Sequence, residues 1–331
     1  MTLRALVFCP PNLQQNVFPR EVLTELGQLV DTPWPVFDPS QWREAKCELQ
    51  SADFIFSTWG MPLLDEEFLA AAPNLKAVFY AAGSVKGFVT DAGWERGILV
   101  SSAWVANSIP VAEYTLGTIL LSLKRFWHCS RAMRLPQEQR VMEKTPGAYR
   151  SKIGLVTLGA IGRSTLKLLA PLDLTVLAHH PSLTPEQAAE LNVKLVSLEE
   201  LFRECDVISL HTPWLPETEG MINGKLIASM KEGATLINTA RGAIIAEEEM
   251  IEVLSSRPDL SAILDVTHPE PPAADSPLRT LPNVILTPHI AGSTDAECAR
   301  MGKWMVDELR RYLEGAPLQY LVKKETLARK A

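Results

Sequence analysis

The chain has 331 residues, of which 47% are hydrophobic and 21% charged, with a formal net charge of −7. This is the composition of an ordinary folded protein, long enough for about two domains. The mild acidity and the lack of a basic run argue against nucleic-acid binding by phosphate neutralisation, yet leave room for a locally positive pocket that takes a small anion.

The first segment, Met1-Thr-Leu-Arg-Ala-Leu-Val-Phe-Cys-Pro10, has too short an apolar part for a secretory signal and reads as a strand. Short apolar runs stand at Leu6–Phe8, Phe54–Phe56, Ala77–Tyr80 and Ile98–Val100, with helical patterns between them, for example Arg20–Leu29 and Asp65–Ala71. Uninterrupted apolar runs suit parallel strands buried on both faces, so an α/β domain with helices on each side of a sheet is predicted. A long helical pattern then runs from Ile109 to Phe126, with Asn107 or Ser108 as its cap and Pro110 in the first turn, where the missing N–H is tolerated. Its apolar part, Val111 to Trp127, carries Glu113, Lys124 and Arg125 and is short for a membrane span. A buried helix, no membrane segment and a cytoplasmic location are expected. From His128 to Arg150 no period is visible, and the charges and prolines predict an irregular arm. The five cysteines are scattered without C-x-x-C spacing, which points to neither a disulfide framework nor a zinc site.

A second alternating series opens at Ile153–Thr157 and continues at Leu174–Ala178, Val207–His211, Thr235–Asn238, Ala262–Asp265 and Val284–Leu286. A last amphipathic helix, about Asp295 to Leu313, is expected to return to the first domain. Two doubly wound parallel-sheet domains are therefore predicted, one from residues 1–101 plus 292–331 and one inserted between them over residues 102–291.

The second series begins as strand, glycine turn and helix. Gly159 and Gly162 fill the second and third places of a G-x-G-x-x-G fingerprint, with Thr157 in the first; a β-branched residue there predicts a conventional negative φ. Such a turn presents backbone amides and a helix N-terminus to a pyrophosphate, although a glycine pair also serves where helix and strand simply pack closely. At the end of the second strand, where a ribose-binding carboxylate is expected, stand His179 and His180. No carboxylate repels a 2′-phosphate there, and Ser182–Glu186 offers no arginine to attract one. Imidazole can bond a ribose hydroxyl, so NAD is favoured over NADP with both open; a solvent-facing strand end is the plainer reading of His180.

Downstream, Asn238-Thr-Ala-Arg-Gly242, Glu270-Pro271 and Thr287-Pro-His-Ile-Ala-Gly292 bring in Arg241, Glu270 and His289. An arginine fork holds a carboxylate, an imidazole moves a proton near neutral pH, and a glutamate orients the imidazole and favours its charged form. Behind a nucleotide turn, this set suits hydride transfer to and from a 2-oxo acid. The plainer alternatives are a strand-end ion pair, a loop surface charge and a structural histidine. His128, His179, His211 and His268 read as structural or solvent-facing, and Trp59 and Trp104 as pocket lining or core.

With these motifs, joined by Asp206-Val-Ile-Ser-Leu-His-Thr-Pro213, Pro216-Glu-Thr218 and Asp265-Val266, the chain resembles the D-isomer-specific 2-hydroxyacid dehydrogenases over nearly its whole length. The resemblance implies a Rossmann-type NAD(P) domain inserted into a flavodoxin-like substrate domain, and an oxidoreductase interconverting a 2-oxo acid and a D-2-hydroxy acid. By it, Arg241 binds the substrate, His289 is the acid/base and Glu270 its partner. Backbone amides around Gly83, Ser84 and Val85 hold the substrate carboxylate. Ala160 and Ile161, with Gly159 and Gly162, meet the pyrophosphate, His180 the adenosine ribose, Thr212, Pro213 and Thr239 the length of the cofactor, and Asp265 the nicotinamide amide. A homodimer through the long helix and the arm is implied, and a chain ending at Ala331 would lack the regulatory domain of some relatives. Thr157 and His180 depart from the family pattern, as does the loop Ala82-Gly-Ser-Val-Lys86. A non-catalytic dinucleotide-sensing regulator on the same fold is the second reading.

Overall fold

Side chains along each apolar run alternate between two cores, which is why the runs are continuous. In a computed structural model that describes residues 2–136 and 145–327, four parallel strands form one sheet in the order β1 (Ala5–Phe8), β2 (Phe54–Ser57), β3 (Ala77–Tyr80), β4 (Leu99–Ser102). Leu6, Phe8, Ile55, Val78 and Tyr80 pack on one face, while Ala5, Val7, Phe54, Phe56 and Phe79 pack on the other. Parallel bridges of Arg4 with Asp31 and of Phe8 with Phe37 add an edge segment beside β1. With that segment the order is the flavodoxin-like one.

The second sheet has seven parallel strands: β5 (Lys152–Val156), β6 (Thr175–His179), β7 (Lys194–Leu195), β8 (Val207–Leu210), β9 (Thr235–Asn238), β10 (Ser261–Leu264) and β11 (Val284–Leu286). Their order, β11-β10-β9-β8-β5-β6-β7, is the Rossmann arrangement with one further strand at the edge. The two-residue β7 carries too short a pattern to be seen in the sequence. Ile208, Leu210, Leu236 and Leu264 face one core, and Ile153, Leu155, Ile237 and Ile263 face the other.

The chain divides into two compact units, Met1–Ser108 with Ser293–Ala331, and Ile109–Gly292. The sequence pattern put the first join at 101/102; it falls instead inside a helix. That helix spans Trp104–Leu123, starting before the predicted Ile109, and Pro110 lies in its interior. The two predicted caps are engaged elsewhere. Asn107 Oδ1 accepts from the Ser293 amide at 2.9 Å, and Ser108 Oγ donates to the Val105 carbonyl at 2.7 Å. The helix stops at Leu123, short of the predicted Phe126, because Arg125 adopts a left-handed φ of 48°, after which a separate helix, Phe126–Ala132, runs into the predicted arm. Residues 137–144 of that arm lie outside the described residues.

In the first unit the helix Cys298–Leu313 buries Met301, Met305, Val306 and Leu309 against the sheet. Gly302 permits this approach, since a Cβ there would stand 2.0 Å from the Val17 carbonyl oxygen. Buried Glu308 accepts from Ser101 Oγ and from the amides of Gln319 and Tyr320, at 2.7, 2.9 and 3.0 Å, tying the segment after the helix to β4. No helix among the described residues is long and apolar enough to cross a membrane.

Candidate active site

The predicted functional residues of the second unit follow the C-terminal ends of its strands, where open α/β sheets bind ligands. After β5, Thr157 has a φ of +73°, contrary to the negative value predicted from its branched Cβ. For a non-glycine residue that conformation costs about 1–2 kcal/mol. Its partners offset the cost: the Thr157 amide donates to the His179 carbonyl at 2.8 Å, and its hydroxyl bonds the Thr212 hydroxyl at 2.9 Å. The following helix, Ala160–Leu169, packs so tightly on this turn that a Cβ at Gly162 would lie 2.5 Å from the Thr157 carbonyl oxygen. Close packing therefore explains Gly162 but not Gly159, whose Cβ would meet nothing within 4 Å. The helix has no side-chain cap, and Ala160 and Ile161 fill its first turn. Open space above uncapped amides fits a pyrophosphate.

At the end of β6, His180 Nδ1 accepts from the Ser182 amide at 3.2 Å, which leaves the proton of the neutral ring on Nε2 as a donor. Burial, then the nearby Arg163 cation and His179, push the His180 imidazole below its ordinary pKa. Arg163 Nε donates to the Leu158 carbonyl at 3.0 Å, which holds the guanidinium beside the glycine turn. Sequence reasoning sought a cation after β6 and missed this one, four residues along the helix from Gly159.

Past β8, the chain turns through buried His211 and Thr212 into Pro213, whose carbonyl accepts from Thr218 Oγ1 at 2.7 Å. Past β9, buried Asn238 shapes the next loop: its Nδ2 donates to the Arg241 carbonyl at 2.9 Å and its Oδ1 accepts from the Ala240 amide at 3.0 Å. In that loop the buried Thr239 hydroxyl has no partner among the described residues, as befits a group awaiting a polar ligand. Arg241 Nη1 donates to the Ala240 carbonyl at 2.6 Å. Burial lowers the guanidinium pKa and the Glu270 charge opposes that shift, so the two side chains lie within electrostatic reach.

Asp265, at the end of β10, is 2% exposed. Its Oδ1 accepts from Thr287 Oγ1 at 2.6 Å and from the Ile290 amide at 2.9 Å, and its Oδ2 accepts from the Ala291 amide at 2.8 Å. With Thr287 donating to Asp265, Tyr114 donates to Thr287, at 3.0 Å. The carboxylate expected at the nicotinamide amide is thus also the organiser of the loop after β11. In that loop His289 adopts a φ of +54°, and its amide donates to the carbonyls of Asp265 and Thr287, each at 3.0 Å. Its Nδ1 lies 2.6 Å from Glu270 Oε1, leaving Nε2 available. Arginine, glutamate and histidine are therefore brought together in one unit. Tyr114 carries no motif and escaped sequence reasoning.

In the first unit, the loop after β3 runs through Gly83, Ser84 and Val85. Val85 buries its side chain, so only its backbone can serve a ligand. Among the described residues the amides of these three have no protein acceptor. Trp59 is exposed and Trp104 half-buried at the start of the long helix.

Residues 116–291 match the family model described as "D-isomer specific 2-hydroxyacid dehydrogenase, NAD binding domain". The D-3-phosphoglycerate dehydrogenase of Archaeoglobus fulgidus is 32% identical over 259 residues, 78% of this chain and 49% of that protein. The (S)-sulfolactate dehydrogenase of Chromohalobacter salexigens is 36% identical over 255 residues, 76% of this chain and 81% of that protein. Among solved structures, the TT0316 protein of Thermus thermophilus superposes with a TM-score of 0.74 at 30% identity, covering 97% of this chain and 100% of that one. The chain spans about half the length of the phosphoglycerate dehydrogenases it matches. The family model, which matches just over half of the chain, and relatives at 32% and 36% identity show that the chain belongs to the D-isomer-specific 2-hydroxyacid dehydrogenase family, whose cofactor is NAD or NADP.

Proposed function

We propose that this chain is an NAD(P)-dependent dehydrogenase that interconverts a small 2-oxo acid and the corresponding D-2-hydroxy acid. The observation that carries the reading is the 2.6 Å pair of His289 and Glu270, with Arg241 in electrostatic reach, in the unit that holds an uncapped glycine turn. The dinucleotide, when bound, supplies the hydride or receives it. Arg241 pairs with the substrate carboxylate and polarises the carbonyl through its fork. His289 Nε2 gives a proton to the carbonyl oxygen in reduction and removes it in oxidation, while Glu270 fixes the ring through Nδ1. Reduction therefore loses rate at high pH and oxidation at low pH. Unit 2 takes the dinucleotide, with Gly159, Ala160, Ile161, Gly162, His180, Thr212, Pro213, Thr239 and Asp265 along it. Within unit 1, the amides of Gly83–Val85, which have no protein acceptor among the described residues, suit a small carboxylate.

Both coenzymes are accepted on this reading. The β6 end has two imidazoles in place of a carboxylate, and Arg163 stands near His180 to meet a 2′-phosphate. Exposed Leu121, Phe126, Met133 and Tyr149 support a homodimer through the long helix and the segment C-terminal to it, which light scattering would test. The deciding experiment tracks NADH and NADPH absorbance with glyoxylate, hydroxypyruvate and larger 2-oxo acids. Turnover of at least one acid is expected; binding of dinucleotide without turnover of any would overturn the reading in favour of a sensing role.

A further inference from the structure

Glu270 is exposed and sits in Thr267-His-Pro-Glu-Pro-Pro272, where Pro269, Pro271 and Pro272 have no N–H with which to anchor the backbone. Other groups must therefore hold the loop. Thr267 Oγ1 donates to the Pro269 carbonyl at 2.8 Å, and on the far side Arg279 donates to the carbonyls of Pro272 and Ala273 at 2.7 and 2.9 Å. Between them, the His268 amide donates to Glu247 Oε2 at 3.2 Å. The His268 ring meets Trp214 edge-on, with centroids 5.3 Å apart and planes at 65°. Trp214 is itself fixed by its indole N–H, which donates to Glu219 Oε2 at 3.1 Å. Glu247 is the first residue of the helix Glu247–Ser256, so it is attached to the unit's frame. Gly242 closes the other side; a Cβ there would lie 2.0 Å from the Thr267 carbonyl carbon.

We propose that His268, held by the Trp214 ring and the Glu247 carboxylate, is a positioning residue that sets Glu270 against His289. This rests on the acid/base reading of that pair. His268 touches no reacting atom on this account. Its work is geometric: a displacement of the loop by an ångström would break the 2.6 Å contact that orients the imidazole.

The test is steady-state kinetics with the fastest 2-oxo acid of the panel, alongside dinucleotide titration. His268→Ala should lower kcat by about tenfold or more while KM and dinucleotide affinity change by less than about threefold. His268→Phe, which keeps a ring against Trp214, should restore most of kcat. Glu247→Ala should behave like His268→Ala, and Glu247→Gln, which keeps an acceptor, should be rescued. In a Glu270→Gln background, His268→Ala should add nothing, because both act through one contact. A kcat for His268→Ala within about twofold of the parent, or an equal loss in both backgrounds, would overturn the proposal. Loss of dinucleotide affinity in both His268 variants would do the same, since the loop would then serve the fold. If Glu270→Gln alone keeps the parent kcat, the acid/base reading fails first and this inference falls with it.

Discussion

His289 Nδ1 and Glu270 Oε1 stand 2.6 Å apart although 19 residues of chain separate them. Each belongs to a loop leaving a different strand, and Asp265 builds the histidine's loop by accepting from the amides of both Ile290 and Ala291. On the proposed acid/base reading, removing His289 should cost more than removing Glu270. His289→Ala is expected to lower kcat by about 10²–10⁴-fold with little change in dinucleotide affinity. Glu270→Gln should lower it by about 10–100-fold, the worth of a hydrogen bond to a charged group. Stopped-flow reduction and fluorescence titration measure the two quantities; near-parent kcat for His289→Ala would remove the imidazole from the chemistry.

Arg241→Lys should not be conservative. The guanidinium spends one N–H on the Ala240 carbonyl at 2.6 Å and keeps the rest of its fork. An ammonium cannot hold that carbonyl and a planar carboxylate with the same geometry. A fall in kcat/KM for the 2-oxo acid of about 10²-fold is expected, with the dinucleotide KM nearly constant. Parent-like kcat/KM would reassign Arg241 to a structural role.

Coenzyme choice should turn on the β6 end. His180→Asp restores the carboxylate that repels a 2′-phosphate and should raise KM for NADPH by about tenfold or more, sparing NADH. Arg163 is exposed, so Arg163→Ala should cost NADPH only about fivefold. Equal effects of His180→Asp on both coenzymes would show that the ring does not face the 2′-position.

The two glycines of the turn should separate packing from ligand approach. Gly162→Ala forces a Cβ to within 2.5 Å of a backbone oxygen and should cost about 1–3 kcal/mol or more in urea unfolding. Gly159→Ala meets nothing within 4 Å and should change stability by less than about 1 kcal/mol, yet weaken dinucleotide binding. Unchanged affinity in Gly159→Ala would place the pyrophosphate elsewhere.

His211 gives the fold a pH dependence. Its ring is buried, neither nitrogen has a partner among the described residues, and burial pushes its pKa down from 6.5 to about 4. Between those values the unfolded chain binds the proton and the folded chain does not. Stability is therefore complete above pH 6.5 and falls as pH drops towards 4, by up to about 3 kcal/mol from this residue. Urea midpoints at pH 7 and pH 5 should differ more in the parent than in His211→Leu. An identical pH dependence in both would show that His211 is not the source.

Much of the site was legible because its chemistry is written locally. Arg241, Glu270 and His289 each stand in a short motif, and the glycine turn comes directly after a strand run. The positive φ of Thr157 runs against the preference of its branched Cβ, because its amide and hydroxyl are held by His179 and Thr212 from segments far along the chain. The helix start at Trp104 was missed for a similar reason: Asn107, a good cap by type, is claimed by Ser293, far along the chain.

The sequence by itself determined the two alternating series, the burial of their strands on both faces and the presence of an imidazole, a carboxylate and a guanidinium in the candidate site, since pattern and residue type are local properties. Tertiary structure alone decided that Arg163 stands beside His180, that Tyr114 reaches Asp265 through Thr287, and that Trp214 and Glu247 hold the loop of Glu270. Those partners come from distant segments whose meeting depends on how strands order and helices pack, and no local pattern encodes it.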